Sequence, residues 1–153
     1  QEIKFLNSYL VLEENRHRGK FTHNIKFSDD MNPDEVMIPP MLLQPFIENT
    51  VIHGVGNLIN NGVVEISFKK ISNLVHCTIV DNGVGRKKAT ELKIFRKDVS
   101  PVSHSTEINN SRLNILNKLG EESYSATIED IKDENEIPLG TKVVVKFPYM
   151  MED

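Results

Sequence analysis

The sequence has no long apolar run, only one cysteine and no excess of basic residues. No stretch approaches the roughly 20 apolar residues that span a bilayer, and no signal-peptide pattern is present, so we expect no membrane contact by this chain. The lone Cys77 cannot form an internal disulfide and lies in an alternating apolar run typical of a buried strand, which favours a reducing, cytoplasmic setting. The 18 basic and 22 acidic residues give a net charge of -4, which repels a phosphodiester backbone and argues against nucleic acid as a partner.

The composition is typical of one globular domain. The chain has 153 residues, of which 39% are hydrophobic and 26% charged, and this is enough to bury one apolar core. It begins at Gln1, already within a helical pattern, so we expect it to be a piece of a longer protein.

Hydrophobic periodicity predicts an α+β fold. Helical spacing is found from Ile3 to about Arg16, from Met41 to Gly54, in a short stretch that begins at Arg86, and from Ile108 to Leu119. Alternating apolar residues predict strands at Phe21 to Phe27, Gly62 to Lys70, Leu74 to Val80, Tyr124 to Ile131, and Thr141 to Phe147. This order predicts a two-layer α/β sandwich, in which helices cover one face of a mostly antiparallel mixed sheet.

The polar segment from Arg86 to Thr106 is predicted to hold a short helix followed by a long loop. Loops of this length are typically lids or disordered segments. We expect this one to be mobile and to become ordered when a ligand binds.

Three polar side chains interrupt the apolar helix predicted from Met41 to Gly54. Asn49 and His53 are four residues apart and share a face, and Glu48 is adjacent. A carboxamide oxygen is a hard ligand suited to Mg²⁺, so Asn49 is a candidate metal ligand. Glu48 is a candidate for orienting or deprotonating an attacking group, and His53 for donating to a phosphate. The alternative is that the three are cap and surface groups, which the spacing alone favours.

A second polar segment, Asp81-Asn82-Gly83-Val84-Gly85, directly follows an apolar strand. An aspartate at the end of a strand, followed by a glycine turn, presents its carboxylate into a cleft. There it can accept a hydrogen bond from an exocyclic amine, while Gly83 and Gly85 let the backbone approach a flat ligand closely. The alternative is an ordinary hairpin turn built on Asn-Gly.

Taken in order, the two segments resemble the ATPase domain of LytS-type sensor histidine kinases. Members of this family typically have Leu-Gln-Pro-Leu-Val-Glu-Asn-Ala-Ile-Lys-His-Gly where this chain has Leu-Gln-Pro-Phe-Ile-Glu-Asn-Thr-Val-Ile-His-Gly at 43–54. Tyr9-Leu10 and Glu13 to Arg16 resemble the end of the family's dimerisation helix, and Gly140-Thr141 resembles its last glycine box. The resemblance extends to the wider superfamily of gyrase, the heat-shock chaperone ATPase, histidine kinases and MutL.

The resemblance implies a domain organisation and a function. Residues 1–20 would be the carboxyl-terminal part of the dimerisation and phosphoacceptor helix region, and residues 21–153 an ATP-binding catalytic domain with the Bergerat-type ATPase fold. This domain would transfer the γ-phosphate of ATP to a histidine upstream of this chain, from which it passes to a response regulator. The implied partners are ATP, Mg²⁺, the response regulator and the protein's own dimerisation domain in a homodimer. The implied setting is the cytoplasmic side of a membrane-anchored sensor.

The resemblance also implies a role for individual residues. Asn49 would bind Mg²⁺, Asp81 would accept a hydrogen bond from the adenine amino group, and Thr141 would close the base of the adenine pocket. Gly83 and Gly85 would shape the adenine pocket, and Glu48 and His53 would flank the phosphates.

One departure from the family lies in its second glycine box, Gly-Ile-Gly-Leu. Nine residues before Arg112-Leu113 this chain has Ser103-His104-Ser105-Thr106 instead. Serine still offers an amide and a hydroxyl to a phosphate, so we expect Ser103, Ser105 and Thr106 to contact the nucleotide and to bind it more weakly. The alternative is that Ser105 or Thr106 only caps the following helix.

Two other functions are compatible with parts of the pattern. The altered glycine box also suits a degenerate signalling or interaction module, in which nucleotide binding has weakened or been lost. An ATPase of the chaperone or mismatch-repair type is disfavoured, because those enzymes have a catalytic glutamate one turn before the asparagine, where this chain has Pro45. The family's phosphoacceptor context, Pro-His-Phe-Leu-Phe-Asn, is absent, so we expect no autophosphorylation by this chain alone.

Overall fold

The computed structural model describes residues 2–34, 36–95, 111, 113–119 and 124–150. The helices are α1 (Glu2–Arg16), α2 (Gln44–Asn49), α3 (Arg86–Phe95) and α4 (113–119), and the strands are β1 (Phe21–Phe27), β2 (Gly62–Ile71), β3 (Leu74–Asp81), β4 (Ser125–Lys132) and β5 (Pro138–Pro148). A π-helical turn, Thr50–Gly54, and a 3₁₀ turn, Val55–Asn57, continue the chain directly after α2. In the part of the chain that is described, no helix is both long and apolar enough to cross a membrane.

The strands form one five-stranded sheet in the order β1-β2-β3-β5-β4. β1 pairs with β2 in parallel, and the other three pairs are antiparallel. The prediction of a mostly antiparallel mixed sheet is therefore confirmed. β5 begins three residues earlier than predicted, at Pro138, because its pairing with β4 continues past Thr141 and through an irregularity at Ile131/Lys132.

Alternation along the strands separates a buried face from an open one. In β2 the side chains of Val64, Ile66 and Phe68 are buried, while the intervening Glu65 and Ser67 are exposed. The buried face packs against apolar residues of α1 and α2, so the core lies between the sheet and the helices. This arrangement confirms the predicted α+β sandwich.

Helix α1 contributes only one of its apolar sides to this core. Leu6 and Leu10 are buried, whereas Phe5 is 51% and Leu12 65% exposed. Leu6 and Leu10 belong to the same apolar cluster as Phe21 of β1. The division of the chain at residue 20 stays a prediction.

Helix α2 begins later than the sequence predicts. Met41 has a φ of +58°, in the left-handed region, so the helix cannot include it and starts instead at Gln44. Pro45 lies in the first turn, where its missing amide donor is tolerated. The helical path then continues to Gly54 in the wider π-helical form, so the predicted end is correct.

The short helix predicted from Arg86 is confirmed as α3, and the described part of the helix predicted up to Leu119 is confirmed as α4. The loop that we predicted to be mobile lies outside the described residues from 96 onward.

Shortening a core side chain of β2 tests this arrangement. We expect Ile66→Val to lower the free energy of unfolding by about 0.5 to 1.5 kcal/mol, because it removes one buried methylene and leaves a small cavity. Urea denaturation measures the change. The matched control is Ser67→Ala on the open face of the same strand, where we expect a change within about 0.5 kcal/mol. Equal losses in the two variants would contradict the assignment of the faces.

Candidate functional site

The carboxylate of Asp81 lies at the end of β3, and its residue is only 2% exposed. The backbone amide of Gly83 donates a hydrogen bond to Asp81 Oδ1 at 2.8 Å. β3 pairs with β5 so that Asp81 lies opposite Thr141, whose backbone and hydroxyl groups both hydrogen-bond to the carboxylate. The sheet register therefore brings the predicted Asp81 and Thr141 together.

Burial raises the pKa of Asp81 to about 6, because loss of hydration penalises the charged carboxylate. The hydrogen bonds from Gly83 and Thr141 favour the charged form and oppose this rise. At neutral pH the side chain is consequently a buried acceptor that is ionised more often than not.

Three glycines lie so close to Asp81 or to one another that a side chain would not fit. A Cβ on Gly54 would lie 2.9 Å from Asp81 Oδ1, and one on Gly83 would lie 2.4 Å from the backbone carbon of Gly54. Gly140 has a φ of +141°, and a Cβ there would lie 1.8 Å from the backbone oxygen of Asp81. The segments that carry these glycines can approach Asp81 only because they lack a Cβ.

Asn82, the second residue of the Asp-Asn-Gly segment, holds the turn in place. Its Oδ1 accepts a hydrogen bond from the amide of Val63 at 2.6 Å, and its Nδ2 donates to the carbonyl oxygen of Asn61 at 2.9 Å. Val63 is the second residue of β2, and Asn61 directly precedes the strand. The side chain of Asn82 thus ties the turn after β3 to the neighbouring strand.

Asp81 lines a cavity of about 220 Å³. The cavity is smaller than the roughly 300 to 1,000 Å³ typical of pockets for drug-sized ligands, so it suits a small ligand or one part of a larger one. Its lining comes from α2 and the π-helical turn, from the turn after β3, from α3 and from strands β4 and β5, and consists of Phe46, Asn49, Thr50, His53, Gly54, Asp81, Gly85, Arg86, Ala89, Thr90, Ile128, Thr141 and Val143.

The structure brings most of the predicted site residues together. Those that line the cavity are Asn49, His53, Asp81, Gly85 and Thr141. Gly83 lies directly against Asp81 and Gly54 rather than among the lining residues.

The other predicted site residues form two groups, one residue that the structure describes and three that it does not. Glu48 is not among the lining residues, and its Oε1 accepts a hydrogen bond from Gln44 Nε2 at 2.6 Å. Burial raises the pKa of Tyr9 on α1 to about 12, and the charges of Glu13 and Glu48 add to the rise. The carboxylate of Glu48 therefore lies near α1. The second group, Ser103, Ser105 and Thr106, lies outside the described residues.

Several lining residues were not predicted. Phe46 and Thr50 follow the same helical spacing as Asn49 and His53, so extending that face by one turn identifies them. Arg86 has no comparable signal. It lines the cavity from α3 while forming an ion pair with Asp130 of β4, and only the folded chain brings these two residues together.

Comparison with solved structures defines the class of fold. The sensor histidine kinase MprB from a mycobacterium superimposes with a TM-score of 0.62 at 15% identity, covering 99% of this chain and 97% of that one. The catalytic domain of the histidine kinase ThkA superimposes with a TM-score of 0.60 at 15% identity, covering 97% and 94% of the two chains. The chain therefore has the fold of a histidine kinase catalytic domain, and the predicted Bergerat-type fold is confirmed.

Sequence comparison gives the nearer relatives. The uncharacterized protein YwpD of Bacillus subtilis is 31% identical over 99 residues, which are 63% of this chain and 34% of YwpD. The sensor histidine kinase/phosphatase LytS of Staphylococcus aureus is 32% identical over 89 residues, which are 58% of this chain and 15% of LytS. No protein-family model matches the chain. The predicted resemblance to LytS-type sensor kinases is confirmed, although the chain spans only about a third of YwpD and less of LytS.

The raised pKa of Asp81 predicts a pH-dependent stability. The folded carboxyl holds its proton more tightly than the unfolded one, whose pKa is about 3.9. Its contribution is thus fully present below about pH 4 and is lost as the pH rises through about 6, for a total of roughly 3 kcal/mol. We expect Asp81→Asn, which has no titrating group, to lack this loss. Urea denaturation of both proteins from pH 4 to pH 8 measures the difference, and parallel curves would contradict the assigned pKa.

Proposed function

We propose that this chain is the ATP-binding catalytic domain of a LytS-type sensor histidine kinase. The observation that carries the proposal is the buried carboxylate of Asp81 in a small, largely apolar cavity. A cavity of this kind selects a flat ligand that carries a hydrogen-bond donor, and adenine with its exocyclic amino group is such a ligand. The kinase-type fold and the LytS-like sequence support the same conclusion.

The described residues account for recognition of the base. Asp81 would accept from the adenine amino group, and the apolar side chains of Phe46, Ile128 and Val143, which line the cavity, would contact the ring. Thr141 fixes the orientation of the Asp81 carboxylate through its hydrogen bonds. A ring without a donor at that position would leave one acceptor position of the buried carboxylate unpaired, and this discriminates against rings that lack such a donor.

Asn49 and His53 line the same cavity and are suited to the phosphate end of the nucleotide. Among the described residues no group of three or more His, Cys, Asp or Glu side chains is placed to hold a metal. Asn49 would supply Mg²⁺ with one carboxamide ligand, and phosphate oxygens and water would supply the others, as this ion prefers. When bound, Mg²⁺ neutralises phosphate charge in phosphoryl transfer. His53 would donate to a phosphate oxygen. Roles of Ser103, Ser105 and Thr106 at the phosphates stay predictions from the sequence, and so does that of Glu48, which lies beside Gln44 and not among the lining residues.

The chain spans only part of the length of the relatives that it matches, so the activity of the full-length protein is a separate proposal. We propose a membrane-anchored sensor with this domain in the cytoplasm, which phosphorylates its own upstream histidine and then a response regulator. The exposed apolar side of α1, with Phe5 and Leu12, supports a homodimer formed through the preceding helical region.

A degenerate signalling module is the second candidate. The replacement of both glycines of the second box by Ser103 and Ser105 favours it, since serine adds a side chain where the family's glycines leave the backbone amides open to phosphates. The intact surroundings of Asp81 favour nucleotide binding instead, because the three glycines and a buried carboxylate are costly features for a pocket without a ligand.

Calorimetric titration with a non-hydrolysable ATP analogue and Mg²⁺ tests the proposal. We expect binding in the micromolar to sub-millimolar range, about -8 to -5 kcal/mol, and no detectable binding to Asp81→Asn. The oxygen of the new asparagine would still accept the hydrogen bond from Gly83. Its NH₂ group would then face the adenine amino group, and two donors cannot form a hydrogen bond with each other. Asp29→Asn, at an exposed loop residue, is the matched control. Absence of binding to the wild-type chain would favour the degenerate module.

The metal dependence of binding tests the role of Asn49. We expect Asn49→Ala to bind the analogue more weakly in the presence of Mg²⁺ and to lose most of the difference between Mg²⁺ and EDTA conditions, because its carboxamide ligand is gone. Asn24→Ala, an exposed residue on the open face of β1, should keep the wild-type difference. An unchanged Mg²⁺ effect in Asn49→Ala would exclude Asn49 as the metal ligand.

A further inference from the structure

An ion pair joins the start of α3 to strand β4. Arg86 Nε donates to Asp130 Oδ1 at 2.9 Å, and Arg86 Nη2 donates to Asp130 Oδ2 at 3.1 Å. The two parallel hydrogen bonds form a fork, which fixes the orientation of the guanidinium as well as its distance. The fork thus ties the first residue of α3 to a fixed position on the sheet.

Helix α3 forms one wall of the cavity, and its described side chains bury little apolar area. Arg86, Ala89 and Thr90 are the lining residues that it contributes. Among the described side chains of α3, Ala89 is the buried one, and Ile94 is 74% exposed. An alanine side chain buries little area, so the position of this wall depends strongly on polar contacts.

The pair remains charged across the ordinary pH range. The hydrogen bond from Arg86 holds the pKa of Asp130 below its usual value, and the same contact raises the pKa of Arg86. The link between α3 and β4 is therefore constant near neutral pH.

We propose that the Arg86–Asp130 ion pair positions α3 as the outer wall of the cavity and thereby sets the affinity for the base. Arg86 acts in this role through Asp130, so it is a positioning residue. That the ligand is a nucleotide rests on the proposed function, whereas the position of α3 can be measured without any ligand.

Direct contact with the nucleotide is the competing role for Arg86, since it lines the cavity and carries a charge that attracts phosphate. The two roles predict different effects on binding when Asp130 loses its charge. If Arg86 contacts the phosphates, removing the charge of Asp130 frees the guanidinium and leaves binding unchanged or tighter. If Arg86 positions α3, loss of either partner has the same effect, and a ligand without phosphates detects it equally.

Titrations of adenosine and of the ATP analogue with Arg86→Ala, Asp130→Asn and the double variant distinguish these roles. We expect each single variant to bind both ligands about threefold to tenfold more weakly, as for loss of a forked pair near the surface, and the double variant to bind no more weakly than either. The exchanged pair, Arg86→Asp with Asp130→Arg, should restore affinity to within about twofold. Losses confined to the ATP analogue, or to Arg86→Ala alone, would overturn the proposal.

Hydrogen exchange of the ligand-free proteins gives the second measurement. We expect the amides of α3 to exchange about threefold to tenfold faster in either single variant, while those of β3 are unchanged. The matched control is Lys26→Ala, which removes the exposed Lys26–Glu65 pair between β1 and β2 and should alter neither exchange nor binding. Wild-type exchange of α3 in Arg86→Ala would overturn the proposal. If α3 exchanges faster in the single variants but the wild-type chain binds no adenosine, the link between α3 and β4 is supported and the proposed function is rejected.

Discussion

Burial of the Asp81 carboxylate at the end of a central strand is the constraint on which the rest of the site depends. A carboxylate without water needs donors, and Gly83 and Thr141 supply them from two different segments. The donors can come close enough only because positions 54, 83 and 140 lack a Cβ. Burial of this one side chain therefore restricts which residues can occupy positions in widely separated parts of the chain. The same burial raises the pKa of Asp81.

The elements that line the cavity beside this carboxylate differ in how many contacts hold them in place. Strands β4 and β5 and helix α2 belong to the apolar core or pair within the sheet, so their positions are determined by many contacts. Helix α3 buries only Ala89 among its described side chains and is joined to β4 by Arg86. An element with few buried contacts opens at low free energy cost, and binding sites are commonly bordered by such elements. The cavity thus has sides fixed by the sheet and α2, and one side, α3, whose described side chains make few buried contacts.

Periodicity in the sequence predicted the strands and most of the helical positions, because alternation and helical spacing follow from backbone geometry alone. It was wrong about the start of α2, where Met41 adopts a left-handed φ that no apolar spacing indicates. It grouped Glu48 with Asn49 because they are neighbours in sequence. Adjacent residues on a helix point in different directions, and Glu48 lies beside Gln44 and near Tyr9 while Asn49 lines the cavity.

The sequence by itself determined the α+β class, the two polar segments around Asn49 and Asp81, and their likeness to LytS-type kinases. These features are local, since each depends on spacing or residue type within one short stretch. Only the tertiary structure decided the depth at which Asp81 is buried, and only it brought Arg86 to Asp130, 44 residues further along the chain. Desolvation and ion pairing depend on distances between segments, and the packing of the sheet against the helices sets those distances.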